Sequence, residues 1–281
     1  MSLTIQQKTN DMIPIEAEVF RPDTLASKTI GEIRQLAVYH GNQLRTLGEC
    51  FELSGDASDE NLVFEGDFSR VKCIGQAMRS GSIRIQGNVG MHVGAEMRGG
   101  SIEIHGNAGD WVGAEMRGGF IRVDGDVGHL AGGSYRGNRS GMKGGTILIE
   151  GSAGNEIGCG MRRGLLVVAG TVGDFAGFNM LAGTIVVSGG FGIRTGAGMR
   201  RGSIISLGKD ENNPVLLSTF RYDCLYCPQF LSIYFRQLLA WGVPVDSRVV
   251  GAKFRRYSGD LVTLGKGEIL VLASSGSGLS S

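Results

Sequence analysis

Proline is scarce in this chain, with 5 residues in 281, and tryptophan scarcer still, with 2. No apolar run is long enough to cross a bilayer, which excludes a helical membrane span. The formal net charge is +1, so a general attraction to nucleic acid or to an anionic membrane is not expected, although a local patch could exist. The first residues, MSLTIQQKTNDM, lack the apolar core of a secretion signal. Cysteines number 5, an odd count in a long chain, which fits a reducing compartment better than a disulfide framework. The expected location is the cytoplasm. Familiar catalytic signatures are missing too: there is no HExxH and no GxSxG, and the phrase GAGMRRG lacks the GK[ST] ending of a phosphate loop.

What is abundant is glycine, at 48 residues. The glycines are periodic. VGAEMRGG occurs at Val93–Gly100 and again at Val112–Gly119, and the pair belongs to a longer series opened by Gly66, Gly87, Gly106, Gly125, Gly151, Gly170 and Gly189 and closed by Gly208. The unit is 19 residues, with two extra residues in the first copy and a seven-residue insertion in the fourth. One internal column is glycine in every unit (Gly75, Gly94, Gly113, Gly132, Gly158, Gly177, Gly196). Another is always methionine: Met78, Met97, Met116, Met142, Met161, Met180 and Met199. A short alternating segment follows in each unit, with inward pairs from Ile83/Ile85 and Ile102/Ile104 through Ile185/Val187 to Ile204/Ser206.

Period-two alternation of β-branched residues marks strands, and self-similarity at about 20 residues marks stacked repeats. The units are too short and too glycine-rich for helix pairs. A glycine-rich β-sandwich would not require a fixed period. The expectation is an all-β fold: a right-handed parallel β-helix of seven coils over 61–208, with methionines filling its interior. Residues 1–60 form an expected N-terminal arm and cap, containing a strand over Ile13–Phe20 and a helix over Ile30–His40. Residues 209–281 form an expected C-terminal cap with a helix in QFLSIYFRQLLAWGVPV and a loose tail, ASSGSGLSS.

Candidate chemistry falls in columns. After each methionine comes a cationic position: Arg79, Arg98, Arg117, Lys143, Arg162, then Leu181, then Arg200. Like charges one rung apart repel, so this ridge needs acidic neighbours, solvent or an acidic partner to offset it. Glu96 and Glu115 share a register in adjacent units, an arrangement that a retaining glycosidase could use, but each lies two residues before an arginine (Arg98, Arg117), which suits paired surface charge. The outward strand column changes character along the stack. It reads Arg84, Glu103, Arg122 and then Leu148, Val167, Val186, Ile205. Four stacked outward aliphatics require a cover, either the Phe230–Trp241 segment or another subunit. The insertion GGSYRGNRSG (Gly132–Gly141) carries Tyr135, Arg136 and Arg139, residue types favoured at interfaces. His92, His105 and His129 fall in different columns and make no ladder, and the lone Cys224–Cys227 pair lacks the partners of a zinc site, so buried thiols are expected there.

The run FEGDFSRVKCIGQAM, the tandem VGAEMRGGSIEIHG, the loop before GMKGGTILIEGSAG and the late MRRG units resemble the C subunit of formylmethanofuran dehydrogenase. They are similar, more distantly, to the C-terminal β-helix domain of the glutamate synthase large subunit. The resemblance implies a β-helical subunit, with no known catalytic motif, that holds catalytic subunits together. In methanogens that assembly is a molybdenum or tungsten enzyme. In methylotrophic bacteria it is a formyltransferase/hydrolase complex, in which one subunit moves formyl from formyl-tetrahydromethanopterin to a methanofuran-type carrier with a glutamate-rich tail. An amidohydrolase-like subunit then releases formate. The implied partners are therefore the formyltransferase subunit, the amidohydrolase-like subunit and a further subunit, with no nucleic acid, no membrane and no cofactor or metal held by this chain.

Overall fold

The structure is a computed structural model that describes residues 2–8, 12–208, 213–242 and 249–273. The molecule is mostly β. Its main sheet has 13 strands and a second sheet has 4.

The centre of the main sheet is a run of parallel neighbours taken in sequence order: β6 (Asn61–Glu65), β8 (Ser82–Gln86), β9 (Ser101–Ile104), β10 (Phe120–Val123), β11 (Lys143–Ile149), β12 (Arg163–Val168), β13 (Thr184–Val187) and β14 (Arg201–Ser206). Ile83 sits beside Ile102, Ile102 beside Ile121, Ile121 beside Ile147, and so on through Ile185 beside Ile204. Each partner is the equivalent residue of the next unit, so one repeat stacks squarely on another. A second parallel ladder of single bridges joins Phe68, Val89, Ala108, Val127, Ala153, Val172 and Phe191, again one per unit. At roughly 4.8 Å per rung, the seven steps from β6 to β14 span about 34 Å.

The interior lies between these ladders. All seven methionines of the column are fully buried, and so are the paired Ile, Val and Leu of each strand. Glycine is needed between rungs because backbones approach closely. A Cβ on Gly106 would lie 2.6 Å from the carbonyl of Gly87, one unit earlier. Short polar side chains beside these glycines bind the next rung. Asn88 Oδ1 accepts from the Asn107 N–H (2.9 Å), Asn107 Oδ1 from Asp126 (2.8 Å) and Asp126 Oδ1 from Ser152 (2.7 Å). A parallel series runs Asp110, His129, Asn155, Asp174, each accepting from the backbone one unit on.

The N-terminal segment extends the stack. β1 (Leu3–Gln7) pairs parallel with β6, and β5 (Phe51–Ser54) adds antiparallel outside it. Phe20, Phe51, Phe64 and Phe68 interlock with ring centroids 5.0–6.3 Å apart and fill the end of the core. The long strand expected at Ile13–Phe20 is only two residues, β2 (Ile15–Glu16), which pairs with β7 (Val71–Lys72). The helix expected over Ile30–His40 stops early. After a single turn, α1 (Pro22–Leu25), α2 (Ile30–Arg34) starts on a Thr29–Glu32 capping box, but Ala37–His40 is a strand, β3, held antiparallel by β4 (Gln43–Thr46), which leads into another single turn, α3 (Leu47–Cys50). The β-branched and aromatic Val38-Tyr39 pair gains more from that hairpin than from another helical turn.

At the far end α4 (Leu231–Ala240) occupies the expected helical run, whereas residues 243–245 of that run lie outside the described residues. Three strands there have no counterpart in the sequence pattern: β15 (Arg221–Tyr226), β16 (Phe254–Gly259) and β17 (Lys266–Leu272). β17 continues the parallel series beside β14, and β16 and β15 follow antiparallel. The tail, residues 274–281, lies outside the described residues.

Candidate interface surfaces

One corner of six of the seven units is built from three alternate residues with left-handed backbone, and the fourth unit has the first two, Leu130 and Gly132, before its insertion. In the third full rung they are Trp111 (φ 66°), Gly113 (59°) and Glu115 (54°). The middle one is always glycine for a steric reason: a Cβ on Gly113 would lie 2.5 Å from Ile147 Cδ1, inside the core. The outer two project away from the core and tolerate side chains, at a cost of roughly 1 kcal/mol each for the conformation. Their identities vary: Cys73, His92, Trp111, Leu130, Glu156, Phe175 and Arg194 on one side of the glycine, and Ala77, Glu96, Glu115, Gly160, Asn179 and Gly198 on the other. Each unit then turns its methionine inward, and six of the seven follow it with a cation, Leu181 being the exception.

That geometry displays the ridge. Arg79, Arg98, Arg117, Arg162 and Arg200 are exposed, and among the described residues none of them has an ion-pair partner. Arg163 and Arg201 stand exposed beside the last two arginines. Lys143 is the exception. It is half-buried, with Nζ 3.6 Å from Glu115. The expected Glu115–Arg117 pairing is not made. Glu115 is instead buried and holds the insertion: Oε1 accepts from the Tyr135 backbone N–H (3.1 Å) and from Asn138 Nδ2. Glu115 is thus committed to holding the insertion, rather than standing open beside Glu96 as a glycosidase pair would require.

The insertion is clamped a second time. Tyr135 stacks on Trp111 (5.0 Å) and lies against His92 (5.6 Å), with its hydroxyl 2.9 Å from His92 Nδ1. Burial raises the Tyr135 phenol above its ordinary value and lowers His92, so the contact joins a neutral phenol and a neutral imidazole. Burial likewise pushes the neighbouring Cys73 thiol up to about 12, which leaves it a protonated thiol and no nucleophile. Arg136 and Arg139 sit exposed on the loop so fixed. Neither the anchoring role of Glu115 nor the Trp111 stack is legible in the sequence. The available signal is Trp111 itself, a bulky residue at a left-handed corner.

The aliphatic column meets its cover within the chain. Leu148, Val167, Val186 and Ile205 are buried beneath Leu231, Phe235 and Leu238 of α4, with Val249, Phe254 and Leu270 completing the cluster. They are therefore not a surface for another subunit. The change from charge to aliphatics coincides with the end of the helix: Arg122 donates to the Trp241 carbonyl (2.9 Å) at the α4 C-terminus and pairs with Glu150. Cys224 is half-buried on β15 and Cys227 is exposed, in place of the buried thiols expected. His105 pairs with Asp124 at 2.7 Å, and His129 belongs to the polar ladder. Among the described residues no group of three or more His, Cys, Asp and Glu is placed to hold a metal ion, and no helix is long and apolar enough to cross a membrane.

The model of the GXGXG motif family matches residues 71–219, more than half of the chain. The chain belongs to the GXGXG motif family. The motif's three alternate glycines have the spacing of the three left-handed corner residues, of which only the middle one is glycine in every rung here. Within the GXGXG family its relatives are the C subunits of larger enzymes. It is 45% identical over 95 residues to the C subunit of the molybdenum-containing formylmethanofuran dehydrogenase 1 of Methanothermobacter marburgensis, a match covering 34% of this chain and 24% of that one. It is 40% identical over 72 residues to the C subunit of the formyltransferase/hydrolase complex of Methylorubrum extorquens, covering 26% and 27%. These matches span about a quarter of the relatives' lengths. A solved structure is similar over far more: a chain of the Methylorubrum extorquens formyltransferase/hydrolase complex with methylofuran superposes with a TM-score of 0.88 at 36% identity, covering 96% of this chain and all of that one. The resemblance to the C subunit of formylmethanofuran dehydrogenase is thereby established, and the distant similarity to glutamate synthase fits the same motif family.

Proposed function

We propose that this chain is a structural, interface-forming subunit of a formyltransferase/hydrolase complex. The observation that carries the reading is the full-length likeness to a chain of such a complex. The complex would pass formyl from formyl-tetrahydromethanopterin to a methanofuran-type carrier and release formate, with formyltransferase, amidohydrolase-like and further subunits supplying the chemistry, in the cytoplasm. In this reading the repeats close into a right-handed parallel β-helix with residues 1–60 and 209–281 as its caps. Parallel strands on two ladders, fully buried methionines and helices confined to the flanks support that winding. A rod of stacked rungs is stiff along its axis, which suits a part that spaces other subunits.

The contact surfaces proposed are the ridge (Arg98, Arg117, Lys143, Arg162, Arg200) and the clamped loop (Tyr135, Arg136, Arg139). Unpaired guanidiniums on rigid backbone suit an acidic surface on a partner or the carrier's glutamate-rich tail. Affinity purification of the tagged chain from its host tests the reading. Stoichiometric co-elution of formyltransferase and amidohydrolase-like chains is expected, and a chain that elutes alone would overturn it. A second reading, the C subunit of a molybdenum or tungsten formylmethanofuran dehydrogenase, draws on the 45% identity over 95 residues. Molybdenum or tungsten in the purified complex would select it.

A further inference from the structure

A groove of about 750 Å³ runs beside the insertion, three rungs long. Asn138 and Arg139 of the insertion line it, together with Gly160 and Gly198 of the outer corner and Leu181 and Arg200 of the ridge column. Its existence follows from departures from the repeat. Early rungs place Glu96 and Glu115 at the outer corner position, but two of the late rungs have Gly160 and Gly198 there, with only the shorter Ser134 and Asn179 side chains against them and the Gly198 N–H taken by Asp260 (2.9 Å). The loop inserted between Gly132 and Met142 contributes Ser134, Asn138, Arg139 and Ser140 to the lining. The ridge also changes, with Leu181 standing where other rungs carry a cation.

The lining has a definite chemistry. It contains two guanidiniums and no carboxylate. Among the described residues the side chains of Arg139 and Arg200 have no hydrogen-bond or ion-pair partner. Cys159, also in the lining, is held as a neutral thiol by burial, so no thiolate competes. Asn179 and Ser134 offer further polar contacts. An apolar Leu181 set among them matches a short hydrocarbon spine between charged ends.

We propose that this groove binds a ligand carrying two carboxylates on a short apolar linker, one held by Arg139 and the other by Arg200. Arg139 and Arg200 also belong to the contact surface proposed above, so the inference deepens that reading, and calorimetry on the chain alone can fail or succeed separately from co-elution of the partner subunits. The chemistry has two possible sources, a free dicarboxylate or an acidic side-chain pair presented by a peptide segment, and the test separates them.

Titration calorimetry on the full chain, at low salt, would use glutarate, an Asp/Glu-rich peptide and, as a single-carboxylate control, butyrate, at up to about 10 mM, where a pair of charge-assisted contacts should register. Glutarate binding that Arg139→Gln and Arg200→Gln each weaken roughly tenfold or more supports a small-molecule site. Peptide binding with the same dependence, and none by glutarate, supports a peptide source. Arg79→Gln, on the same ridge but outside the groove, should leave affinity unchanged, and circular dichroism should show every variant folded. The proposal is overturned if neither probe binds, if butyrate binds as well as glutarate, or if Arg79→Gln weakens binding as much as the groove variants do.

Discussion

Replacing Gly113 by alanine tests the corner on which the stack depends. Two costs add. Alanine in a left-handed backbone (φ 59°) loses about 1 kcal/mol relative to glycine. The new methyl would lie 2.5 Å from Ile147 Cδ1, 3.2 Å from Ile147 Cγ1 and 3.3 Å from Ile121 Cδ1. Both isoleucines are fully buried, so the methyl must displace core atoms rather than solvent, at a cost of about 1–3 kcal/mol. The sum is about 2–4 kcal/mol, read as a lower chemical-denaturation midpoint and a melting temperature reduced by roughly 2–4 °C per kcal/mol. Gly251→Ala isolates the first cost, because Gly251 has a similar φ (75°) with nothing within 4 Å of its would-be Cβ. Shortening the obstacle provides the decisive comparison. In the Gly113→Ala/Ile147→Val double variant the clashing Cδ1 is gone, and a double-mutant cycle should show favourable coupling of about 1 kcal/mol or more. If Gly113→Ala costs no more than Gly251→Ala, or the cycle shows no coupling, the middle glycine is not required by the packed interior and the steric account of the corner fails.

Glu115→Ala should free the insertion, costing about 1–3 kcal/mol and making the loop sensitive to limited proteolysis at Arg136 and Arg139, because it removes the buried acceptor for Tyr135 and Asn138. Leu238→Ala should destabilise by about 2–5 kcal/mol and raise dye binding by the exposed Val167–Val186 strip, since α4 is its cover. Burial lowers His92 below the unfolded value of 6.5, so the unfolded chain takes up a proton first as pH falls. Stability should therefore decline from just above pH 6.5 towards the lowered folded value, and His92→Asn should flatten that part of the midpoint-against-pH curve. Glu156→Gly relieves a left-handed non-glycine residue (φ 59°) whose side chain has no hydrogen bond or ion pair among the described residues, and should stabilise by about 1 kcal/mol in thermal unfolding.

Some of this protein can be read along one dimension and some cannot, and the boundary has a physical origin. Stacking in register repeats the same environment every 19 residues, so columns of Gly, Met and Ile announce the rungs, the buried interior and the corner glycines before any coordinates exist. The same periodicity places the cationic ridge and marks the aliphatic column as needing a cover. Outside the repeat, period is no guide. The strands at Arg221–Tyr226 and Lys266–Leu272 form because β14 leaves an unpaired edge for β17 to extend, a demand made by a distant part of the chain. Val38 and Tyr39 join a hairpin for the same kind of reason. The fate of individual polar groups is likewise decided in three dimensions. Glu115 reads as the partner of an arginine two residues away, yet a loop arriving from 20 residues later captures it. Leu148, Val167, Val186 and Ile205 form a strip that either another subunit or the chain itself could have closed, and only the arrival of α4 over that face settles which. Periodic contacts are local in the unit and so are written into each copy, whereas the insertion, the helix and the late strands meet the stack once each, at places that no repetition encodes.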